Sequence, residues 1–386
     1  MGFTGLRILL IGICGGVSTR ASSPLVLVGL YNTSTWDGHP AETSLYAGVS
    51  VEAYLLDGNG TLRLQRGSSV GLNVSWIIPH PVLPALFYAV NEVGEYLGTA
   101  TGSVVLLRLN RSTGELRTLD RVSSGGAGPV HLSVHSSGSH LLIANYNGGS
   151  LQVLALDRSS GYFGAATDLA QEGPGSHSSY LLPSNRFVFA PVLGLDKIDQ
   201  WTLDANTGKL AAAGELQLPS GTGPRHMAFH PAREGLALVA DEGDGSSPCR
   251  LTVCSFDASV GKLSVLHTVS TLPGSISFVG VYPAEVLFSL DGRFAYVSNR
   301  DATSAGRDNI AVFSIGDDGT AKLLANTLTG HYPRSMSLNP TGDFIVVANQ
   351  KGNSVMTFAV DVRTGLLHNP KLFALSDSAA FVTVVS

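Results

Sequence analysis

Charge is scarce in this sequence. Only 14% of its 386 residues are Asp, Glu, Lys or Arg, the formal net charge is -5, and no basic run occurs. That excludes the cationic footprint by which proteins hold nucleic acid or an anionic membrane surface, so neither is expected as a partner. Cysteine is nearly as rare, with three in all: Cys14, Cys249 and Cys254. Extended chain between Cys249 and Cys254 spans about 16 Å, whereas a disulfide needs Cα atoms within about 7 Å. The two pair only if Cys249 lies on a loop that curls back after Pro248; otherwise both are buried thiols. Metal-ligand spacing is absent, and His131 and His135 would stand about 13 Å apart on one strand face. P-loop, HExxH and GxGxxG patterns are missing too, which argues against nucleotide-dependent chemistry and leaves no cofactor or metal expected. Gly67-Ser68-Ser69-Val70-Gly71 matches the nucleophile pattern G-x-S-x-G only formally, because no helix follows it. No segment carries a 3.6-residue apolar stripe, so helices should be few.

Glycine, by contrast, is abundant, at 45 residues. High glycine with little charge fits many turns between short buried strands. The first residues pair Arg7 with an apolar core from Ile8 to Val17 and small residues from Ser18 to Ser23. This is the layout of a secretory signal peptide over residues 1–22, and it is shorter than the roughly 20 apolar residues of a membrane span. A first β-strand is the alternative. Four sequons begin at Asn32, Asn59, Asn73 and Asn110, and with the leader they point to a glycosylated, secreted protein.

Seven apolar anchor runs recur about every 50 residues, the period of propeller blades. They are Leu25–Tyr31, Leu86–Glu92, Leu141–Tyr146, Phe187–Val192, Leu236–Glu242, Phe294–Arg300 and Phe344–Gln350. Gly128-Pro129, Gly223-Pro224 and Tyr332-Pro333 turns precede three of them, and alternating strands follow most. The expected fold is all-β: a single seven-bladed β-propeller over residues 23–386, with each anchor as an inner strand. Pro24 to Tyr31 should pair with the chain end near Phe381, removing an open sheet edge.

The carrying motifs are Gly223-Pro224-Arg225-His226 with Glu242, Asp291-Gly292-Arg293 leading to Ser298-Asn299-Arg300, Ala144-Asn145-Tyr146, and Pro333-Arg334 leading to Ala348-Asn349-Gln350. On these the chain resembles the seven-bladed propeller lactonase family, which includes bacterial 6-phosphogluconolactonases and fungal carboxy-muconate cyclases. The resemblance implies a central cleft lined by His177, Arg225, Glu242 and Arg300. Arg225 and Arg300 would clamp a carboxylate or polarise a carbonyl; inter-blade ion pairing is their structural alternative. Glu242 is either a general base or the counter-charge of Arg225. His177 is the acid–base candidate, or else a buried histidine satisfied by a carbonyl. His226 should point to the other side of its strand. Glu92, Asn145, Glu285, Asn299, Arg334 and Asn349 stand as substrate-binding candidates.

Two positions depart from the family pattern. Gly175 replaces a His, and Val192 replaces a carboxylate. The loss of polar groups there favours ring formation of the kind seen in fungal hetero-Diels–Alderases that resemble this family. Such a reaction needs an apolar wall and a few donors rather than a strong base. Hydrolysis of a lactone is the alternative reaction, and a non-catalytic binding propeller the third reading. Each implies a small-molecule ligand or a rim partner.

Overall fold

The computed structural model describes residues 23–32, 41–42, 48–182, 184–375 and 377–385. The expected leader, residues 1–22, lies outside the described residues. Seven four-stranded antiparallel sheets make up the described chain, apart from a short parallel pair formed by Ala41–Glu42 and Glu95–Tyr96. Numbered by anchor, blade I joins the last strand, Ser378–Val385, to Leu25–Tyr31, Val51–Leu56 and Leu62–Ser68. The first and last strands pair in register from Leu25↔Val385 to Tyr31↔Ser378, which closes the ring as the sequence leads one to expect. The single-turn 3-10 helix Leu193–Leu195 is the only helix among the described residues.

One expectation is corrected. The anchors are the second strands of their blades, not the innermost. In blade V the first strand is Pro224–Phe229, followed by Leu236–Asp241, Arg250–Asp257 and Lys262–Ser270. Every residue of Leu236–Asp241 is buried, because a propeller blade has a neighbour on both faces. Alternation then splits one strand between two cores. Leu236, Leu238 and Ala240 pack against blade VI with Val286, Val297 and Phe313. Ala237 and Val239 turn the other way, towards Phe187, Phe189 and Ile198 of blade IV. The outer strand Lys262–Ser270 buries only Leu263 and is otherwise exposed or half-buried, as its edge faces solvent.

A β-bulge recurs where the first strand of each blade begins. Register slips between Val74 and Trp76, Pro129 and His131, Pro224 and His226, Pro283 and Val286, and Pro333 and Ser335. In blade IV, Ser176 bridges Val192 while Tyr180 pairs with Phe189, leaving the same single extra residue. Opposite Leu30 and Gly29, Ala380 is the extra residue of blade I. An extra residue defeats strict alternation, so two successive side chains reach the axial region. This bulge builds the site.

Both cysteines are unpaired and buried, Cys249 against the Val281 carbonyl, with its Sγ 3.2 Å from that oxygen. The sequons differ in their surroundings. Asn59 lies in an exposed turn, Asn110 is exposed at the end of the strand Ser103–Asn110, and Asn32 is half-buried and donates to Val49 O. Asn73 is buried together with Val74 and Ser75, so the folded chain has no room for a glycan there, which corrects the expectation at that position.

Candidate active site

Two rings of equivalent positions converge on the propeller axis. The lower ring is set by the bulges. Ser75, Val130, His177, Arg225, Ala284, Arg334 and Ala380 occupy the same register in blades II to VII and I. Only three of these carry functional side chains: His177, Arg225 and Arg334. The upper ring is the residue that follows the second-strand position paired just before each bulge: Glu92, Tyr146, Leu193, Glu242, Arg300, Gln350 and, in blade I, Tyr31.

The two rings interlock through ion pairs. Glu242 Oε2 lies 2.8 Å from Arg225 Nε and 2.7 Å from Arg300 Nη2. The Arg225 contact is an ion pair off the hydrogen-bond axis, since that Nε has no aligned acceptor. Arg225 also donates from Nη1 to the Ala284 carbonyl at 3.0 Å, and the Arg300 guanidinium lies 5.1 Å from the Tyr332 ring centroid. Across the axis, Arg334 Nη2 donates to Glu92 Oε2 at 3.0 Å, and the same oxygen accepts from the Tyr31 hydroxyl. Glu242 is therefore not an idle base. Burial pushes its carboxyl up, but Arg300 and Arg225 outweigh that and hold it below the usual carboxylate range. It is the counter-charge of two arginines.

His177 stays neutral. Burial lowers its pKa well below the usual histidine value, and Arg225, His226 and Arg334 add to the fall. Its Nδ1 is buried with no partner among the described residues, so the reading of a histidine satisfied by a carbonyl does not hold at that nitrogen. His226 overturns its expected placement: because of the bulge its ring lies 5.0 Å from that of His177 and 5.2 Å from that of Trp76. Its Nδ1 is 3.0 Å from Glu285 Oε1. Burial raises the Glu285 carboxyl to about 8 and lowers His226, so both groups favour their neutral forms. Glu285 thus sits beneath the cleft as a partner of His226 rather than a substrate ligand. Beside it is a void lined by Trp76, His177, Arg225, His226, Arg334 and Phe381, with room for about one water.

Three more candidates are corrected. Asn145, Asn299 and Asn349 stand on second strands one residue short of the upper ring, and they are wholly buried. Asn145 Nδ2 donates to Ser124 O at 3.0 Å, and Asn299 Nδ2 to Thr271 O at 3.2 Å. Asn349 Oδ1 accepts from Thr329 at 3.2 Å. They tie each blade to the loop entering it. The cleft-facing neighbours, Tyr146 and Gln350, were missed because alternation places adjacent residues on opposite sides. Tyr146 packs edge-on to His177, with ring centroids 5.5 Å apart.

In blade V an acid, Asp241, takes the asparagine position. Its Oδ2 accepts from Thr252 at 2.6 Å, while Oδ1 has no partner among the described residues. Burial raises this carboxyl from 3.8 to about 8. A raised folded pKa means that the stability present below the unfolded value is lost as pH rises towards 8. Asp241→Asn supplies the missing donor, so it should stabilise by about 1–3 kcal/mol at pH 8 and by much less at pH 5. Thermal unfolding at the two pH values checks this; an equal change at both would refute it.

At one of the two departures from the family pattern the backbone leaves no room for a side chain. Gly175 has φ +80°, and a Cβ there would lie 2.7 Å from Gly194 N, so no side chain fits. Val192 is fully buried. Asp196, on the same segment, holds the arginine turn: its carboxylate accepts from Gly221 N at 2.9 Å and Gly223 N at 2.7 Å. Ser69 of the G-x-S-x-G match lies exposed just past the outer strand of blade I, with no helix after it.

The family model described as lactonase, 7-bladed beta-propeller, matches residues 38–384. The chain belongs to this lactonase family. It is 31% identical over 316 residues to a 6-phosphogluconolactonase of Pectobacterium carotovorum, a match covering 80% of this chain and 90% of that one. A 6-phosphogluconolactonase of Bacillus subtilis is 29% identical over 277 residues, covering 69% and 76%. Among solved structures, the periplasmic gluconolactonase of Pseudomonas aeruginosa superposes with a TM-score of 0.80 at 23% identity, over 95% of this chain and 99% of that one; it attests to the fold. The protein is therefore an enzyme of the lactonase class. Of the two reactions expected from sequence, the family supports lactone hydrolysis over ring formation.

Proposed function

We propose that this enzyme hydrolyses a sugar-acid lactone that carries an anionic group, with 6-phosphoglucono-lactone as the first substrate to test. The observation that carries the reading is the charge balance on the axis. Three buried guanidiniums, from Arg225, Arg300 and Arg334, meet two carboxylates, Glu242 and Glu92. Among the described residues these five side chains carry an excess of one positive charge beside a neutral imidazole, a setting that favours an anion and stabilises a developing oxyanion. The 6-phosphogluconolactonase relatives support a phosphorylated sugar lactone.

In the proposed step His177 takes a proton from water, and the water oxygen adds to the lactone carbonyl carbon. The guanidiniums of Arg225 and Arg300 receive the charge that develops on the carbonyl oxygen. The tetrahedral adduct then collapses by breaking the acyl carbon–ring oxygen bond. The proton held by His177 passes to that ring oxygen, leaving an open hydroxy acid. Because the His177 pKa is depressed, its free-base form persists well into acid. The rate should therefore show no fall as pH drops from 8 through the ordinary histidine value, and decline only in more acid solution.

The test measures acid release from 6-phosphoglucono-lactone and from unphosphorylated glucono-1,5-lactone, with wild type and His177→Ala. The wild type is expected to turn over the phosphorylated lactone with the lower KM. His177→Ala should lower kcat about 100-fold while the fold survives. No turnover of either lactone by the wild type would sink the reading.

A further inference from the structure

In five blades the residue two positions before the bulge residue is left-handed. These are Asn73 at φ +47°, Gly128 at +61°, Gly175 at +80°, Gly223 at +56° and Tyr332 at +65°. Three are glycine, for which that conformation carries no steric cost. Asparagine tolerates it, but a tyrosine there is a steric outlier, and outliers of this kind collect at functional sites. Blade VII thus keeps a strained aromatic residue where blades III, IV and V have glycine.

The surroundings of Tyr332 show what the ring does. The Arg300 guanidinium carbon lies 5.1 Å from its centroid, and Lys351 Nζ lies 4.0 Å from it. Arg300 otherwise has long contacts to Tyr282 O and Pro283 O, at 3.3 and 3.4 Å, besides its ion pair with Glu242. The backbone of Tyr332 is held from both sides. Its N–H donates to Asp308 Oδ1 at 2.9 Å, and its carbonyl accepts from Gln350 N at 2.9 Å. Asp308 is itself fixed by His331 Nδ1 at 2.9 Å from Oδ2. A blade VI loop therefore pins a blade VII tyrosine against a blade VI arginine.

We propose that Tyr332 is a positioning residue: its ring, carried on a strained turn, fixes the Arg300 guanidinium in the cleft and brings Lys351 to the same wall. The cations gain from the aromatic face, and the ring closes the rim beside the anion-binding arginines. The kinetic part of this proposal rests on the lactonase reading; its structural part does not.

The experiment compares Tyr332→Gly, Tyr332→Ala and Tyr332→Phe. Tyr332→Gly should melt above Tyr332→Ala, because glycine releases the left-handed strain. Despite that advantage, Tyr332→Gly should lose about tenfold in kcat/KM for 6-phosphoglucono-lactone, assayed well below its Tm. Tyr332→Phe should restore most of the rate, since the ring and not the hydroxyl does the positioning. Wild-type kcat/KM in a folded Tyr332→Gly overturns the proposal. A crystal structure of Tyr332→Gly reads the same point without turnover. Arg300 displaced from Glu242 supports the assignment, and Arg300 unmoved refutes it. A wild type that hydrolyses no lactone sinks the lactonase reading alone, because the crystal structure still decides this one.

Discussion

Arg225→Met is expected to lower kcat/KM for lactone hydrolysis by about 10²–10³, the usual loss when one oxyanion-stabilising donor is removed. Arg225 is 2% exposed and stands on the axis between Glu242 and the Ala284 carbonyl. Burial and the neighbouring Arg300 lower its pKa to about 10, which leaves it charged at neutral pH. Methionine keeps the flexible apolar stem and fills most of the space, so the charge is the main loss. Glu242 retains Arg300 as a partner in the variant. Steady-state kinetics together with a melting curve separate the two possible effects. A loss smaller than tenfold in a protein that melts like wild type would remove Arg225 from the chemistry.

The second large effect falls on stability. Glu242→Gln keeps the shape of the side chain but leaves two buried guanidiniums without their shared counter-charge. Breaking a buried pair in this way costs about 3–5 kcal/mol, far more than the pair itself adds. The effect should depend on pH in a definite direction. Arg300 and Arg225 overcome the upward push of burial and hold the Glu242 carboxyl below its ordinary 4.5. A depressed folded pKa gives stability that is present above the unfolded value and lost as pH falls through the folded one. The gap between wild type and Glu242→Gln should be full at pH 7 and shrink below about pH 4.5. Denaturant unfolding across that range checks it, and a gap that stays constant into acid would refute the assigned charge.

How far the sequence carried each part follows from the range of the interactions involved. The anchor Leu236–Asp241 was legible because a strand packed on both faces must be apolar throughout, and no distant partner is needed to see that. Its rank within the blade was not legible, because a fully buried second strand and an inner strand read alike. Asn145 and Tyr146 show the cost of period two. The motif Ala144-Asn145-Tyr146 marks the right corner, but the residue that leaves the ladder towards the axis is the tyrosine. His226 was misplaced for a related reason, since alternation holds only where no bulge intervenes. The recurrence of Gly-Pro ahead of the first strand was the signal for that bulge.

Other contacts had no local signal at all. Tyr31, Glu92 and Arg334 meet although Glu92 and Arg334 are 242 residues apart, because ring closure brings the two ends of the chain together. Glu285 finds His226 across a blade boundary, 59 residues away. Short-range periodicity and turn chemistry were enough to specify the seven-fold repeat, the all-β architecture and the terminal closure, while the central arginines were marked by the motifs that resemble the lactonase family. Only the closed ring settles which polar ends face the axis, that Glu242 is a shared counter-ion rather than a base, and that His177 is neutral among the arginines. Those properties depend on burial and on charges from other blades, which exist only once the ring has closed.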